Sequence, residues 1–248
     1  MGYVRPCALA VAMALAVVLS NAGAAADENA SARITALAPH FHTYRPDGPG
    51  PFPGLMFVSG CLGFAPANAP QAYTSLAETW KAKGYVIVFV DYLAAKGMQQ
   101  CDGTVTPEGV GKDVIAVADY LRGQTYIDKS RISAFGWSLG GAAVLSAIEE
   151  PDADKSSPLR SVVAYTPICS ALSPWSKRVP ALVLLGADDP LANPALCKDL
   201  IAQLPPGTPV DAKIYPHAGH VFDLPGAPGY DQAASAAAAD EVDRFMSR

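Results

Sequence analysis

Gly136-Trp137-Ser138-Leu139-Gly140, with Gly141 after it, sets a serine in G-x-S-x-G spacing. A serine hydroxyl becomes a strong nucleophile when a histidine takes its proton and a carboxylate orients that histidine. Both partners lie downstream, in Gly186-Ala187-Asp188-Asp189-Pro190 and in Pro216-His217-Ala218-Gly219-His220-Val221-Phe222-Asp223. The chemistry implied is acyl transfer, in the order nucleophile, acid, base. Asp189 is preferred over Asp188 as the acid, because it stands three residues after Gly186 and just before the Pro190 turn. Asp188 in that case caps the turn. His220 is preferred as the base, since Ala218-Gly219 lets a loop carry its imidazole over the serine. His217 is closer to the strand end and reads as a structural neighbour. His40 and His42 precede the central sheet and are poor partners. A developing oxyanion needs two backbone N–H donors. Leu139, directly after the nucleophile, offers one; Cys61, in the turn Ser59-Gly60-Cys61-Leu62-Gly63, is expected to offer the other.

Such residues must be held at the carboxyl ends of strands. The run Arg131-Ile132-Ser133-Ala134-Phe135 leads into the serine, and Ala142-Ala143-Val144-Leu145 leads away as a helix. Further apolar runs at 55–58, 85–90, 162–165, 181–185 and 212–215 read as strands covered on both faces. Helices are expected at 73–83, 139–149, 194–204 and 232–246. Another starts at Thr106-Pro107, with Val110, Val114, Val117, Ala118 and Leu121 on one face and Gly123 at its end. This alternation predicts an α/β fold, a mostly parallel central sheet with helices on both faces. An antiparallel edge strand is expected around 34–44.

The first 26 residues read as a secretory leader. Arg5 is followed by an uncharged apolar stretch from Ala8 to Leu19, and Ala24-Ala25-Ala26 forms a small-residue cleavage site. The stretch is too short to anchor the chain stably in a membrane. Residues 27–248 are then one domain, periplasmic or secreted. A net charge of −5 without a basic cluster argues against nucleic acid as a partner. Nothing in the sequence specifies an oligomeric state. Beyond the leader remain Cys61, Cys101, Cys169 and Cys197, an even number that allows three disulfide pairings or free buried thiols. Cys61–Cys101 with Cys169–Cys197 is favoured, because each pair links segments expected near each other at one sheet edge. Loops of these lengths are worth about 3.5–4 kcal/mol each in the chain-entropy account. With no C-x-x-C spacing and four histidines, a metal site is poorly supported. No cofactor is implied.

From about Tyr44 to Phe245 the chain resembles the dienelactone hydrolase family of α/β-hydrolases. The resemblance rests on Arg45-Pro46, Gly50-Pro51-Phe52-Pro53, Gly60-Cys61, Asp91, Cys101, the Gly136–Gly141 motif, Gly186-Ala187-Asp188-Asp189, Cys197 and His220-Val221-Phe222-Asp223. Members commonly carry histidine where Ser59 stands, and the dienelactone-cleaving enzymes use cysteine where Ser138 stands. The resemblance is therefore to the serine-using esterase branch. It implies an α/β-hydrolase fold and a small-molecule ester, thioester or lactone as substrate. Peptide or amide cleavage on the same scaffold, or a binding protein that has kept it, are the alternatives. Trp137, Trp175, Tyr92 and Phe64 are candidates either for an acyl pocket or for the core.

Overall fold

Continuous apolar runs are buried on both faces here, as a parallel sheet between two helical layers requires. In chain order the strands are β1 (His42–Tyr44), β2 (Phe52–Val58), β3 (Val86–Phe89), β4 (Ile127–Trp137), β5 (Ser161–Tyr165), β6 (Ala181–Gly186) and β7 (Val210–Tyr215). They form one sheet in the order β1-β3-β2-β4-β5-β6-β7. Only β1 runs antiparallel, pairing His42 with Phe89 and Tyr44 with Ile87. The computed structural model describes residues 29–67, 69–149, 158–174 and 179–248, so the leader expected over residues 1–26 and Trp175 lie outside the described residues.

The helices are α1 (Ala72–Ala82), α2 (Pro107–Arg122), α3 (Leu139–Ala147), α4 (Pro194–Ala202) and α5 (Gln232–Met246). Thr106 caps α2 by accepting from the Gly109 N–H at 3.1 Å, with proline at the first helical position. Asp231 caps α5 through Ala234 at 2.7 Å. α3 and α4 each stop two residues short of their expected ends. Residues 29–37 are helical where the edge strand was expected to begin, which leaves three residues for β1. Arg33 in that segment docks on α2 through Asp113 at 2.5 Å, a tertiary ion pair that no local pattern announces.

Side chains alternate across the sheet. Met56, Val58 and Val88 face α2 and α3, packing on Val114, Val117 and Val144. Leu55, Phe57, Phe135 and Trp137 face α1 and α5. That second layer is aromatic: Trp137 stacks on Tyr165 at 5.3 Å and meets Tyr73 edge-on at 4.9 Å. Each large apolar side chain buried here is worth about 1.5–3 kcal/mol, so the layer is a stiff platform beneath the elbow.

Candidate active site

Ser138 sits between the last residue of β4 and the first of α3, at φ 55° and ψ −116°. A non-glycine residue with positive φ stores strain of about 1–3 kcal/mol. The strand and helix approach so closely that a Cβ on Gly136 would come within 2.1 Å of the Gly140 carbonyl. One on Gly140 would come within 2.2 Å of the Val58 carbonyl. The two glycines are thus steric requirements of the turn. The Ser138 N–H donates to Tyr165 at 2.9 Å, tying the elbow to the neighbouring strand.

Asp189 follows β6, and His220 lies between β7 and α5. The structure brings them to the serine in one line. His220 Nε2 is 2.9 Å from Ser138 Oγ, and His220 Nδ1 is 2.8 Å from Asp189 Oδ2. The other Asp189 oxygen accepts N–H bonds from Leu191 and Ala192, both at 2.8 Å. Asp189 therefore closes its own turn and faces the imidazole with the same carboxylate, while its side chain is inaccessible to solvent. Asp188 instead points outward, 3.7 Å from His217, with both side chains largely exposed. His40 and His42 lie at the β1 edge of the sheet.

The loop that carries His220 is held by backbone proximity. A Cβ on Gly229 would lie 2.3 Å from the His220 carbonyl, so the segment leading to α5 presses directly on the histidine. Gly219 N–H donates to Gly229 at 3.2 Å, and Val221 N–H to Thr166 Oγ1 at 3.3 Å. Thr166 and Val221 also have positive φ, 43° and 50°. Strain thus gathers around Ser138 and His220, which are held by a crowded frame.

Leu139 opens α3, where the first N–H groups have no intrahelical acceptor and the helix dipole favours negative charge. Opposite it, the Gly60 carbonyl accepts from Gly63 N–H at 3.1 Å and from Tyr92 O–H at 3.2 Å. In a trans peptide the N–H points opposite to the carbonyl, so these bonds fix the direction of the Cys61 N–H. Tyr92 also donates to the Ser59 carbonyl at 3.0 Å, and burial raises its hydroxyl's pKa, which keeps it a donor. Cys61 is joined to Cys101, whose N–H donates to the Cys61 carbonyl at 2.9 Å, and Cys169 is joined to Cys197. Both bonds are compatible with the favoured pairing.

Two residues considered for an acyl pocket belong to the core. Trp137 and Tyr92 have no exposed surface; Trp137 fills the aromatic layer and Tyr92 braces the turn. Phe64 stacks on Phe89 at 4.4 Å. The bracing role of Tyr92 depends on a hydroxyl reaching carbonyls more than thirty residues away, for which the sequence carries no signal. A groove of about 570 Å³ lined by Arg160, Pro180, Val210, Asp211 and Arg248 opens at the opposite, amino-terminal edge of the strands and takes no part in this site.

Comparison with known proteins agrees with this geometry in fold. A Klebsiella pneumoniae protein solved as a candidate dienelactone hydrolase superposes with a TM-score of 0.67 at 18% identity, over 84% of this chain and 92% of that one. A thermophilic esterase from Thermogutta terrifontis gives 0.63 at 15% identity, over 83% and 86%. A dienelactone hydrolase-like promiscuous phosphotriesterase from metagenomic libraries gives 0.61 at 21% identity, over 84% and 98%. In sequence, 76 residues are 40% identical to the Arabidopsis thaliana alpha/beta hydrolase domain-containing protein WAV2, a match that spans 31% of this chain and 24% of that protein. The profile of the dienelactone hydrolase family matches residues 41–248, and the chain belongs to that family.

Proposed function

We propose that the protein is an exported serine hydrolase that cleaves a carboxylic ester, thioester or lactone through Ser138, His220 and Asp189. The observation that carries this reading is the unbroken hydrogen-bonded line from Ser138 Oγ through the imidazole to Asp189. Family membership supports ester hydrolysis as the reaction class.

In the first half-reaction Ser138 Oγ bonds to the carbonyl carbon and its proton passes to His220 Nε2. The carbonyl electron pair moves onto oxygen, where the N–H groups of Leu139 and Cys61 receive it. Collapse breaks the bond to the leaving group, which takes the proton from His220. Water then gives a proton to His220 and its oxygen bonds to the acyl carbon. The acid departs as Ser138 regains its proton. Asp189 holds the Nδ1–H and stabilises the imidazolium at each stage. Covalent attack by Ser138 and by water, proton transfer through His220 and charge stabilisation by Asp189 and backbone N–H groups account for every step, so the scheme calls on no cofactor or metal.

Leu62, Leu191 and Tyr230 are exposed at 61%, 70% and 38%. Each is one or two residues from Cys61, Asp189 or Gly229, which supports a substrate with an apolar acyl or alcohol part. Residues 27–248 are read as the mature domain. Two disulfides and the leader-like start support an oxidising compartment outside the cytoplasm. Recovery of protein beginning at Asp27 from periplasm or medium is expected; full-length protein in the cytoplasm would refute export.

The direct test is fluorophosphonate labelling of the oxidised protein with mass mapping, alongside hydrolysis of p-nitrophenyl acetate. Attachment at Ser138 is expected, with turnover lost in Ser138→Ala. Undiminished turnover by that variant would overturn the reading.

A further inference from the structure

Asp223 lies three residues beyond His220, and the scheme above does not use it. Its Oδ2 accepts from Trp137 Nε1 at 2.7 Å, so it bonds the residue immediately before the nucleophile to the loop that carries the base. Its backbone carbonyl accepts from Ser235 Oγ at 3.2 Å, which ties the same loop to α5. Its Oδ1 is buried and, among the described residues, has no hydrogen-bond partner outside its own residue. A buried carboxylate with one unsatisfied oxygen in an aromatic layer is costly to the fold.

The groups around it explain what such a carboxyl can do. From α1 comes the Tyr73 hydroxyl, from β5 Tyr165, from β4 the Trp137 indole, and from its own loop His220. Both tyrosine pKa values are raised, first by burial and then by Asp223, so both stay neutral. His220 is then the neighbouring group that can carry positive charge.

We propose that Asp223 is a positioning residue of the catalytic centre: clamped by Trp137, it pins the His220 loop to the nucleophile elbow and sets a second negative charge behind the imidazole. The inference rests on the serine hydrolase reading above. Asp189 orients the ring by direct contact, whereas Asp223 acts through space on the imidazolium formed in the transition state. Burial raises its carboxyl to about 7, against the opposing pull of the Trp137 bond, its own backbone and His220. Its charge therefore appears within the working range of an esterase, so activity rises as Asp223 ionises.

The test is the rate of fluorophosphonate labelling at Ser138 as a function of pH, in the wild type, Asp223→Asn and Trp137→Phe, each checked for folding by circular dichroism. Labelling of every form must rise as His220 becomes free to accept the serine proton; the wild type is expected to show, in addition, a roughly tenfold rise centred near pH 7, in the range where Asp223 ionises. Asp223→Asn removes this rise and keeps the lower rate at high pH. Trp137→Phe moves it to higher pH, because the indole bond that favours the ionised form is gone. If Asp223→Asn does not fold, the Trp137→Phe displacement decides the matter alone. Labelling of the wild type with profiles of unchanged shape in the folded variants would make Asp223 merely structural and overturn this role. Failure of the wild type to label would overturn the hydrolase reading, and this role with it.

Discussion

Two aspartates act on His220, one by direct contact and one through space, and their surroundings differ sharply. Asp189 is inaccessible to solvent yet fully engaged, with two backbone N–H donors on one oxygen and the imidazole on the other. Asp223 has one indole donor on one oxygen and, among the described residues, no partner beyond its own residue on the other. The first environment offers donors to both carboxylate oxygens; in the second, burial raises the Asp223 carboxyl to about 7. Burial alone thus says little about a carboxyl group. The count of donors aimed at it matters as much, and their shortage at Asp223 makes that charge conditional on pH.

The largest expected effect comes from breaking the fully hydrogen-bonded side. Asp189→Asn should lower kcat by roughly 10³–10⁴, since an amide cannot hold Nδ1–H in the required tautomer. Steady-state hydrolysis of p-nitrophenyl acetate measures this, and a loss under tenfold would remove Asp189 from its assigned role. Tyr92→Phe comes next. Without its hydroxyl the Gly60–Cys61 peptide loses a brace, and kcat should fall about tenfold with KM little changed. A changed KM at constant kcat would instead assign Tyr92 to substrate binding.

The conditional side makes a prediction about stability. Asp223 has a folded pKa raised to about 7, so the folded chain retains a proton that the unfolded chain has already released. Its contribution is present at low pH and is lost as pH rises through about 7. The urea midpoint of the wild type should therefore fall between about pH 4 and pH 7 and level off above, and that of Asp223→Asn should fall less. Equal slopes would show that Asp223 does not titrate in this window. The smallest effect is expected at Asp188. Its pair with His217 is solvent-exposed at 3.7 Å, where such contacts contribute little, so Asp188→Asn should leave kcat/KM unchanged. A large loss there would reopen the choice between the two adjacent acids.

Much of the frame was legible because its signals are local. The apolar runs at 55–58 and 181–185 could only be strands buried on both faces, and Thr106-Pro107 marks a helix start by its own cap. The glycine spacing around Ser138 announces a turn too tight for side chains, and the structure shows the clashes that would follow. The segment 34–44 differs in part from the expected strand, because its helical turns are held by Arg33 on Asp113, 80 residues away. Trp137 and Tyr92 were ambiguous for a related reason. An aromatic residue beside a motif looks the same whether it lines a pocket or fills the core.

The sequence by itself determined the order of the strands along the chain, the parallel α/β architecture, the elbow and the set of residues from which a nucleophile, an acid and a base can be drawn. These follow from periodicity, steric need and side-chain chemistry, which act over a few residues. Tertiary structure alone decided that Asp189, already preferred over Asp188 for its place in the turn, reaches the imidazole, that Tyr92 braces the Gly60–Cys61 peptide, and that Asp223 is buried against Trp137. Those outcomes depend on distances between segments separated by tens of residues. Such distances are set by how the sheet twists and packs its layers, and no short pattern encodes them.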